Sequence, residues 1–338
     1  MPLIGEGNYG CVFKPYIKCK NEHKIGSSKT KVKTPNNAKV GKVFVDNLEF
    51  NNEKEIQEII AKIDPKNEFT VPLYEDCNVN SFKDSNSADK CMLINTKIKT
   101  NYYQLIYRDG GVSFKDLLKL PGSPTKFLIL LSKLKPILLG IEKLNNARYV
   151  HQDIKPPNIL FDTHKISLID FGIMTHVNQI YNQDNMYVLR YNYPYYPPEY
   201  KLFVYKKNTF PVFYRNFLEN FDFIFNIGGK QVDLLHNISS LGINIETELQ
   251  ALYSKKFDNH VYSTDKIDIY SLGIVLLEFF IWSGIFNKDY KDYKNENIKN
   301  MIIEFIKGMI HFNIDERYDF KTLIKQYDNL NSNLSNLI

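Results

Sequence analysis

The stretch HQDIKPPN at residues 151–158 constrains this chain more than any other. It sets Asp153, Lys155 and Asn158 at short fixed intervals. Twelve residues after Asn158, the apolar run ISLI leads into Asp170 of an Asp-Phe-Gly triplet. A single aspartate in a loop usually caps a turn, so no one of these residues predicts a function alone. The joint pattern requires a fold that holds several polar side chains together between short strands and turns.

The remainder of the chain divides into two differently patterned parts. The first part has β-type runs and one helix-patterned stretch, at residues 10–14, 40–45, 102–107 and 52–63. After the pair Gly110-Gly111 the pattern becomes helical, at residues 126–146, 267–282 and 297–312. The sequence therefore predicts an α+β protein with a sheet-rich part followed by a helix-rich part.

Composition excludes several classes of protein. The net charge of +5 arises from 43 basic and 38 acidic residues, which implies no dominant field for nucleic acid. The four cysteines have no zinc-site spacing, although Cys77 and Cys91 could pair, and we interpret them as reduced thiols. The most apolar segment, residues 272–282, is too short to span a bilayer, and the N-terminus has no signal-peptide pattern.

Three glycines near the N-terminus form the pattern G-x-G-x-x-G. Gly5, Gly7 and Gly10 are followed by Val12, and the flanking residues favour two strands joined by a glycine turn. Alone, the pattern fits an ordinary hairpin equally well. A dinucleotide-binding fingerprint would need a helix after the glycines, whereas a second strand follows here.

The segment 151–172 resembles the catalytic loop H-x-D-x-K-x-x-N and the D-F-G motif of the protein kinase family. The resemblance implies that Asp153 is the catalytic base and that Lys155 contacts the transferred phosphoryl group. It also implies that Asn158 and Asp170 hold two Mg²⁺ ions, for which Mn²⁺ would substitute. The fold implied is the two-lobed kinase fold, with ATP bound between the lobes.

A kinase also needs a strand lysine for the ATP phosphates and a helix glutamate that holds this lysine. Lys42 in VGKVF fits the first role, although a lysine on a surface strand is the alternative. Glu53 lies on the edge of the apolar stripe of its helix, so we choose it over Glu55 as the partner. The helix EKEIQEII resembles that of casein-kinase-1-like enzymes.

The nucleotide pocket is expected to include the glycine turn and the strand before Gly110. By resemblance, Leu105 is the gatekeeper, and Ile106 to Arg108 form the hinge whose backbone would bind adenine. The full set of expected nucleotide contacts is Ile4, Gly5, Gly7, Gly10, Val12, Lys42, Leu105, Ile106 and Arg108.

Three downstream positions extend the resemblance to about residue 325. Pro197-Pro198-Glu199 resembles the A-P-E motif, Asp268 the aspartate that opens the central helix, and Arg317 the arginine that pairs with the A-P-E glutamate. We expect domains at 1–108 and 109–338, with a basic insert at about 15–38 and a second insert at about 202–262. The second insert either packs on the helical part or docks a partner.

One residue departs from the usual pattern. Gln152 stands where many kinases have an arginine that receives a loop phosphate, so we expect that loop phosphorylation is not essential for activity. An alanine scan of Thr175, Tyr181 and Tyr187 would test this expectation.

The resemblance implies a protein serine/threonine kinase that acts on protein substrates. Lys155 favours serine and threonine over tyrosine as acceptors. The expected protein is a monomer without nucleic-acid or membrane partners, and it resembles kinases of large cytoplasmic DNA viruses, which implies host cytoplasm or virion. The alternatives are a pseudokinase scaffold and a small-molecule phosphotransferase.

Overall fold

A computed structural model describes the protein over residues 3–7, 10–20, 38–79, 91–96, 101–182, 193–221, 224–227, 230–285 and 296–334. Its contacts divide the chain into a first unit, Met1–Gly111, and a second unit, Val112–Ile338. Most of the predicted basic insert, residues 21–37, lies outside the described residues.

The first unit contains β1 to β5, α1 and α2, which are Leu3–Glu6, Gly10–Phe13, Lys39–Phe44, Leu73–Val79, Tyr102–Arg108, Asn47–Ile63 and Met92–Thr96. The strands of the second unit, β6 to β12, are Val112–Ser113, Tyr149–Val150, Ile159–Phe161, Ile166–Leu168, Thr175–His176, Ile224–Ile227 and Lys230–Asp233. Its helices, α3 to α13, are Phe114–Leu118, Pro124–Ser132, Lys135–Asn146, Val177–Ile180, Pro198–Tyr205, Phe210–Phe221, Leu234–Ser240, Ile245–Ser254, Ile267–Ser283, Glu296–Ile310 and Phe320–Leu334.

In the first unit, the strands form one antiparallel sheet in the order β1-β2-β3-β5-β4, and α1 packs against it. Helix α1 begins five residues before the predicted start, because the Asp46 side chain caps it by accepting a hydrogen bond from the Leu48 amide at 2.7 Å. Phe50, in the first turns of α1, packs with Phe44 and Leu105 of the sheet. These contacts fix α1 beside β3 and β5.

The cysteines of the first unit are paired, so the interpretation as reduced thiols is wrong. Cys11 forms a disulfide with Cys91, and Cys19 forms one with Cys77. The pairing of Cys77 with Cys91 that the sequence left open does not occur. Both true bridges join segments that are far apart in sequence, 80 and 58 residues, which is why spacing gave no signal.

The second unit is built around α11, Ile267–Ser283, whose residues are buried on nearly every side. Helices α4 and α12 contact it. The single helical run predicted at 126–146 is two helices, α4 and α5, because Pro136 stands at the start of α5 and cannot continue a helix from before it. Among the described helices, none is both long and apolar enough to cross a bilayer.

The insert at about 202–262 packs on the second unit itself. Phe213 and Phe217 of α8 are fully buried, and the ring of Phe217 lies 5.1 Å from that of Phe312. Glu248 of α10 accepts hydrogen bonds from the backbone of Phe312 and from His311, at 2.7 Å each. Of the two alternatives for this insert, these contacts favour packing on the helical part.

Candidate active site

The glycine turn joins β1 and β2, as the sequence predicted. Gly5 pairs with Val12 across the two strands, and the Gly7 amide donates to the Gly10 carbonyl at 3.0 Å. A side chain at Gly10 would approach the Val43 carbonyl of β3 to 2.7 Å, so only glycine fits there. Residues 8 and 9, at the tip of the turn, lie outside the described residues.

Lys42 and Glu53 form a partly buried ion pair. The Lys42 ammonium donates to the Glu53 carboxylate at 3.0 Å, and Glu53 is only 7% exposed. Glu55, the other candidate, is exposed. Helical geometry explains the difference, because Glu53 and Phe50 share the face of α1 that packs on the sheet. The ion pair therefore holds the Lys42 side chain in one position on β3, the central strand of the sheet.

The expected gatekeeper and hinge lie on β5. Leu105 is fully buried and sits directly opposite Lys42 in the β3–β5 pairing. Ile106 to Arg108 continue the strand, and the Arg108 amide donates to the Pro72 carbonyl at 3.0 Å. To bind adenine as predicted, the Arg108 amide would therefore have to release the Pro72 carbonyl.

In the second unit, three predicted residues meet at one carboxylate. Asn158 donates its side-chain amide to Asp153 Oδ2 at 2.8 Å and to the Asp153 carbonyl at 2.9 Å. The Lys155 ammonium lies 2.9 Å from the same Oδ2. Oδ1 accepts the Tyr193 hydroxyl at 3.3 Å and, like any carboxylate oxygen, is able to accept a second hydrogen bond, so the loop presents one fixed oxygen and one that can still receive a proton-bearing group.

The donor set of Asn158 and Asp170 suits a hard divalent cation. Both amide hydrogens of Asn158 are directed to Asp153, and its amide oxygen takes no hydrogen bond from the described residues. Asp170 has a positive φ of 61° and an exposed carboxylate. Carboxylate and amide oxygens are the ligands that Mg²⁺ prefers, so these residues fit the metal that the resemblance implies.

A buried aspartate holds the loop that precedes Asp153. Asp268, at the start of α11, accepts the backbone amides of His151 at 2.8 Å and Gln152 at 3.1 Å. Burial raises the pKa of Asp268, and these hydrogen bonds oppose that rise. The His151 ring packs 4.7 Å from the ring of Phe171, which joins the loop to the Asp-Phe-Gly triplet.

Gln152 is engaged by neutral partners. Its amide donates to the Ile173 carbonyl at 3.3 Å, and its oxygen accepts from the Tyr200 hydroxyl at 2.9 Å. The residue has a φ of 64°, a strained value for a side chain of this size. Such strain persists only where the surroundings fix the residue. Here the Ile173 carbonyl and the Tyr200 hydroxyl hold the side chain, and Asp268 holds the backbone amide.

Glu199 and Arg317 form a fully buried, bidentate ion pair. The two guanidinium nitrogens donate to the two carboxylate oxygens at 2.7 and 3.1 Å, and both side chains have no exposure. The Arg317 guanidinium also lies 4.9 Å from the centre of the Tyr270 ring. The pair fixes the start of α7 to the segment between α12 and α13.

The comparison with known families decides the identity of this architecture. The model of the protein kinase domain matches residues 1–209. The chain belongs to the protein kinase domain family. Its fold is the predicted α+β, two-lobed kinase fold, and kinases of this family use ATP with a divalent metal ion.

One relative is citron Rho-interacting kinase of Mus musculus, which is 33% identical over 81 residues. The match covers 24% of this chain and 4% of the mouse protein. The chain therefore corresponds to only a small part of that relative.

Sequence reasoning missed the aromatic residues that surround the catalytic loop. Tyr193 donates to Asp153, and Tyr195 donates to the buried Glu278 at 2.5 Å. Burial raises the pKa of Glu278 to about 8, and the Tyr195 hydrogen bond lowers it only in part. The one available signal was the density of tyrosine in RYNYPYYPPEY, which composition alone could not connect to Asp153.

Proposed function

We propose that this protein is a serine/threonine kinase that transfers the γ-phosphoryl group of ATP to hydroxyl groups of protein substrates. The observation that carries the proposal is the Asp153 carboxylate, fixed at Oδ2 by Asn158 and Lys155. A carboxylate held in this way is a positioned general base. The family supports a phosphotransferase, and the retained chemistry of the loop supports an active one.

The residues of the loop divide the work of the reaction. Asp153 accepts the proton of the substrate hydroxyl as its oxygen bonds to the γ-phosphorus and ADP leaves. Lys155 lies close enough to this base to neutralise charge on the transferred group. Asn158 and Asp170 would hold magnesium, with manganese as a substitute, and the bound metal supplies positive charge to the phosphates.

The ion pair of Lys42 and Glu53 supports a second role. A lysine fixed by a buried glutamate presents its charge at one position, which suits contact with the α and β phosphates of ATP. We include Ile4, the three turn glycines and Val12 in the nucleotide site. Leu105, Ile106 and Arg108 complete it as gatekeeper and hinge.

The acceptor is proposed to be serine or threonine on the strength of Lys155. The partners are proposed to be protein substrates, and the chain is proposed to act as a monomer in a cytoplasmic or virion setting. Two alternatives remain as outcomes of the test. A pseudokinase would bind nucleotide without transfer, and a small-molecule phosphotransferase would ignore proteins.

The test is transfer of labelled γ-phosphate from magnesium ATP to casein, a basic protein and the protein itself, by wild type and by Asp153→Asn. We expect phosphoserine or phosphothreonine with wild type and its loss in the variant. ATP binding without transfer by wild type would support the pseudokinase. Transfer only to metabolites in a substrate panel would support the small-molecule enzyme.

A further inference from the structure

The second carboxylate oxygen of the proposed base, Oδ1, also has a partner within the chain. Tyr193 donates its hydroxyl to Asp153 Oδ1 at 3.3 Å. Because Asn158 and Lys155 engage Oδ2, each of the two carboxylate oxygens has a partner within the chain. Rotation of the carboxylate about its last bond would break contacts with all three partners.

The ring of Tyr193 makes a second contact with the same loop. The Lys155 ammonium lies 5.7 Å from the ring centre, within the range of cation–π attraction. One side chain therefore contacts the proposed base through its hydroxyl and the proposed phosphate-binding lysine through its face.

Neighbouring residues hold the Tyr193 ring in place. Its centre lies 5.1 Å from that of Tyr195 and 4.9 Å from that of Tyr196. Tyr195 is itself tied to α11, because its hydroxyl donates to Glu278 and its carbonyl accepts from Ser271 at 2.8 Å. Because this packing already orders the Tyr193 ring, its contacts with Asp153 and Lys155 cost little further side-chain entropy.

The hydroxyl of Tyr193 remains a proton donor at all working pH values. Burial raises the pKa of this phenol, and the Asp153 carboxylate raises it further. A carboxylate oxygen accepts more than one hydrogen bond, so Oδ1 is able to bind this hydroxyl and a substrate hydroxyl together.

We propose that Tyr193 is a positioning residue that fixes both Asp153 and Lys155 for phosphoryl transfer. The inference rests on the proposed kinase function. Asp153 is the group that contacts the substrate, and Tyr193 acts through it. This role also makes the catalytic loop depend on the placement of residues 193–197, which lead into α7 at Pro198.

The test compares Tyr193→Phe with Tyr196→Phe in the full-length chain. Both variants remove one phenolic hydroxyl and keep the ring of the same aromatic cluster. The Tyr196 hydroxyl makes no hydrogen bond with the described residues, so its variant controls for loss of a phenolic oxygen from the same aromatic cluster. A third variant, Tyr193→Leu, removes the contact with Lys155 as well.

Single-turnover transfer separates positioning from a structural effect. We expect Tyr193→Phe to lower the rate constant of the transfer step on the order of tenfold, as loss of one hydrogen bond to a charged group does. The burst amplitude and the KM for ATP should stay unchanged. Tyr193→Leu should be slower still, and Tyr196→Phe should match wild type.

Four results would overturn the inference. A lower amplitude at an unchanged rate constant in Tyr193→Phe would indicate a folding role only. Equal rates in the two phenylalanine variants would remove any role for the hydroxyl. A rise in kcat/KM would show that Tyr193 blocks the substrate, and phosphate on wild-type Tyr193 would make it an acceptor. Absence of transfer by wild type would instead refute the proposed function, and the inference would fall with it.

Discussion

Loss of the Cys11–Cys91 bridge should lower the free energy of unfolding of the first unit by an amount that depends on the length of the loop that the bridge closes. Alone, this bridge closes a loop between residues 80 apart in sequence. The Cys19–Cys77 bridge lies inside that loop and shortens the path to eight residues on one side and fourteen on the other. In the chain-entropy model, a loop of that length stabilises the native state by about 3 kcal/mol.

The two bridges should not act independently. The same model assigns about 3 kcal/mol to the inner bridge when the outer one is present, and about 7 kcal/mol to removal of both. The sum of the two single losses is smaller than the double loss, because each bridge shortens the path that the other closes. A loss of 7 kcal/mol is comparable with the whole stability of many domains, so the fully reduced first unit should open often.

Hydrogen exchange followed by mass spectrometry of the full-length chain measures this effect in each unit separately. We expect full reduction to lower the protection of peptides from β3 and α1 by about five orders of magnitude, since each 1.4 kcal/mol is about a factor of ten. Peptides from α11, in the second unit, serve as the internal control. The paired variant of Cys11 and Cys91 to alanine should lose about a hundredfold.

Reduced wild type separates the loss of the bridge from the loss of sulfur packing, because it keeps every cysteine side chain. Thiol titration of the denatured, unreduced protein checks the starting state. Four free thiols there would refute the pairing. Unchanged protection after complete reduction would refute the entropic argument.

Three further predictions test the ionisable groups. Glu53→Gln should lower phosphoryl transfer on the order of tenfold by removing the partner of the strand lysine, whereas the exposed Glu55→Gln should leave it unchanged in the same assay. The pKa of Glu278 is about 8 in the folded state and 4.5 ordinarily, so folding favours its protonated form. The free energy of unfolding should therefore fall by about 4 kcal/mol as the pH rises from below 4.5 to 8. Urea titrations at several pH values should show this fall in wild type and not in Glu278→Gln. Arg317→Met should cost about 3–5 kcal/mol by leaving Glu199 buried and unpaired, and a smaller loss on adding Glu199→Leu in thermal unfolding would confirm that the unpaired charge is the cause.

Local patterning predicted the elements around the site well. The runs at 40–45 and 267–282 correspond to β3 and α11, because alternation and continuous apolarity report directly on burial. The choice of Glu53 over Glu55 also followed from helical geometry, which gave the face of α1 that the ion pair uses. The spacing of the motif predicted that Asp153, Lys155 and Asn158 form one site, and no tertiary information was needed for this prediction.

Long-range contacts could not be predicted in this way. The partner of Cys11 lies 80 residues away, and no local pattern distinguishes Cys91 from Cys77 as that partner. Tyr193 reaches Asp153 across 40 residues of sequence, and its contact depends on how the segment before α7 packs. Such pairs are set by topology, which a single sequence does not encode in local periodicity.

The environment of Gln152 supplies a physical reason to expect that loop phosphorylation is not essential for activity. The side chain is 6% exposed, and both ends of its amide meet neutral partners, the Ile173 carbonyl and the Tyr200 hydroxyl. An arginine in this place would bury a charge that needs an anion, such as a loop phosphate, whereas the amide needs none. Because Tyr200 belongs to α7, the contact that a phosphate would otherwise provide between the activation segment and the catalytic loop is made here by a hydroxyl. The glutamine at residue 152 and the hydroxyl of Tyr200 are therefore two parts of one arrangement, in which residue 152 itself supplies no cation for a phosphate.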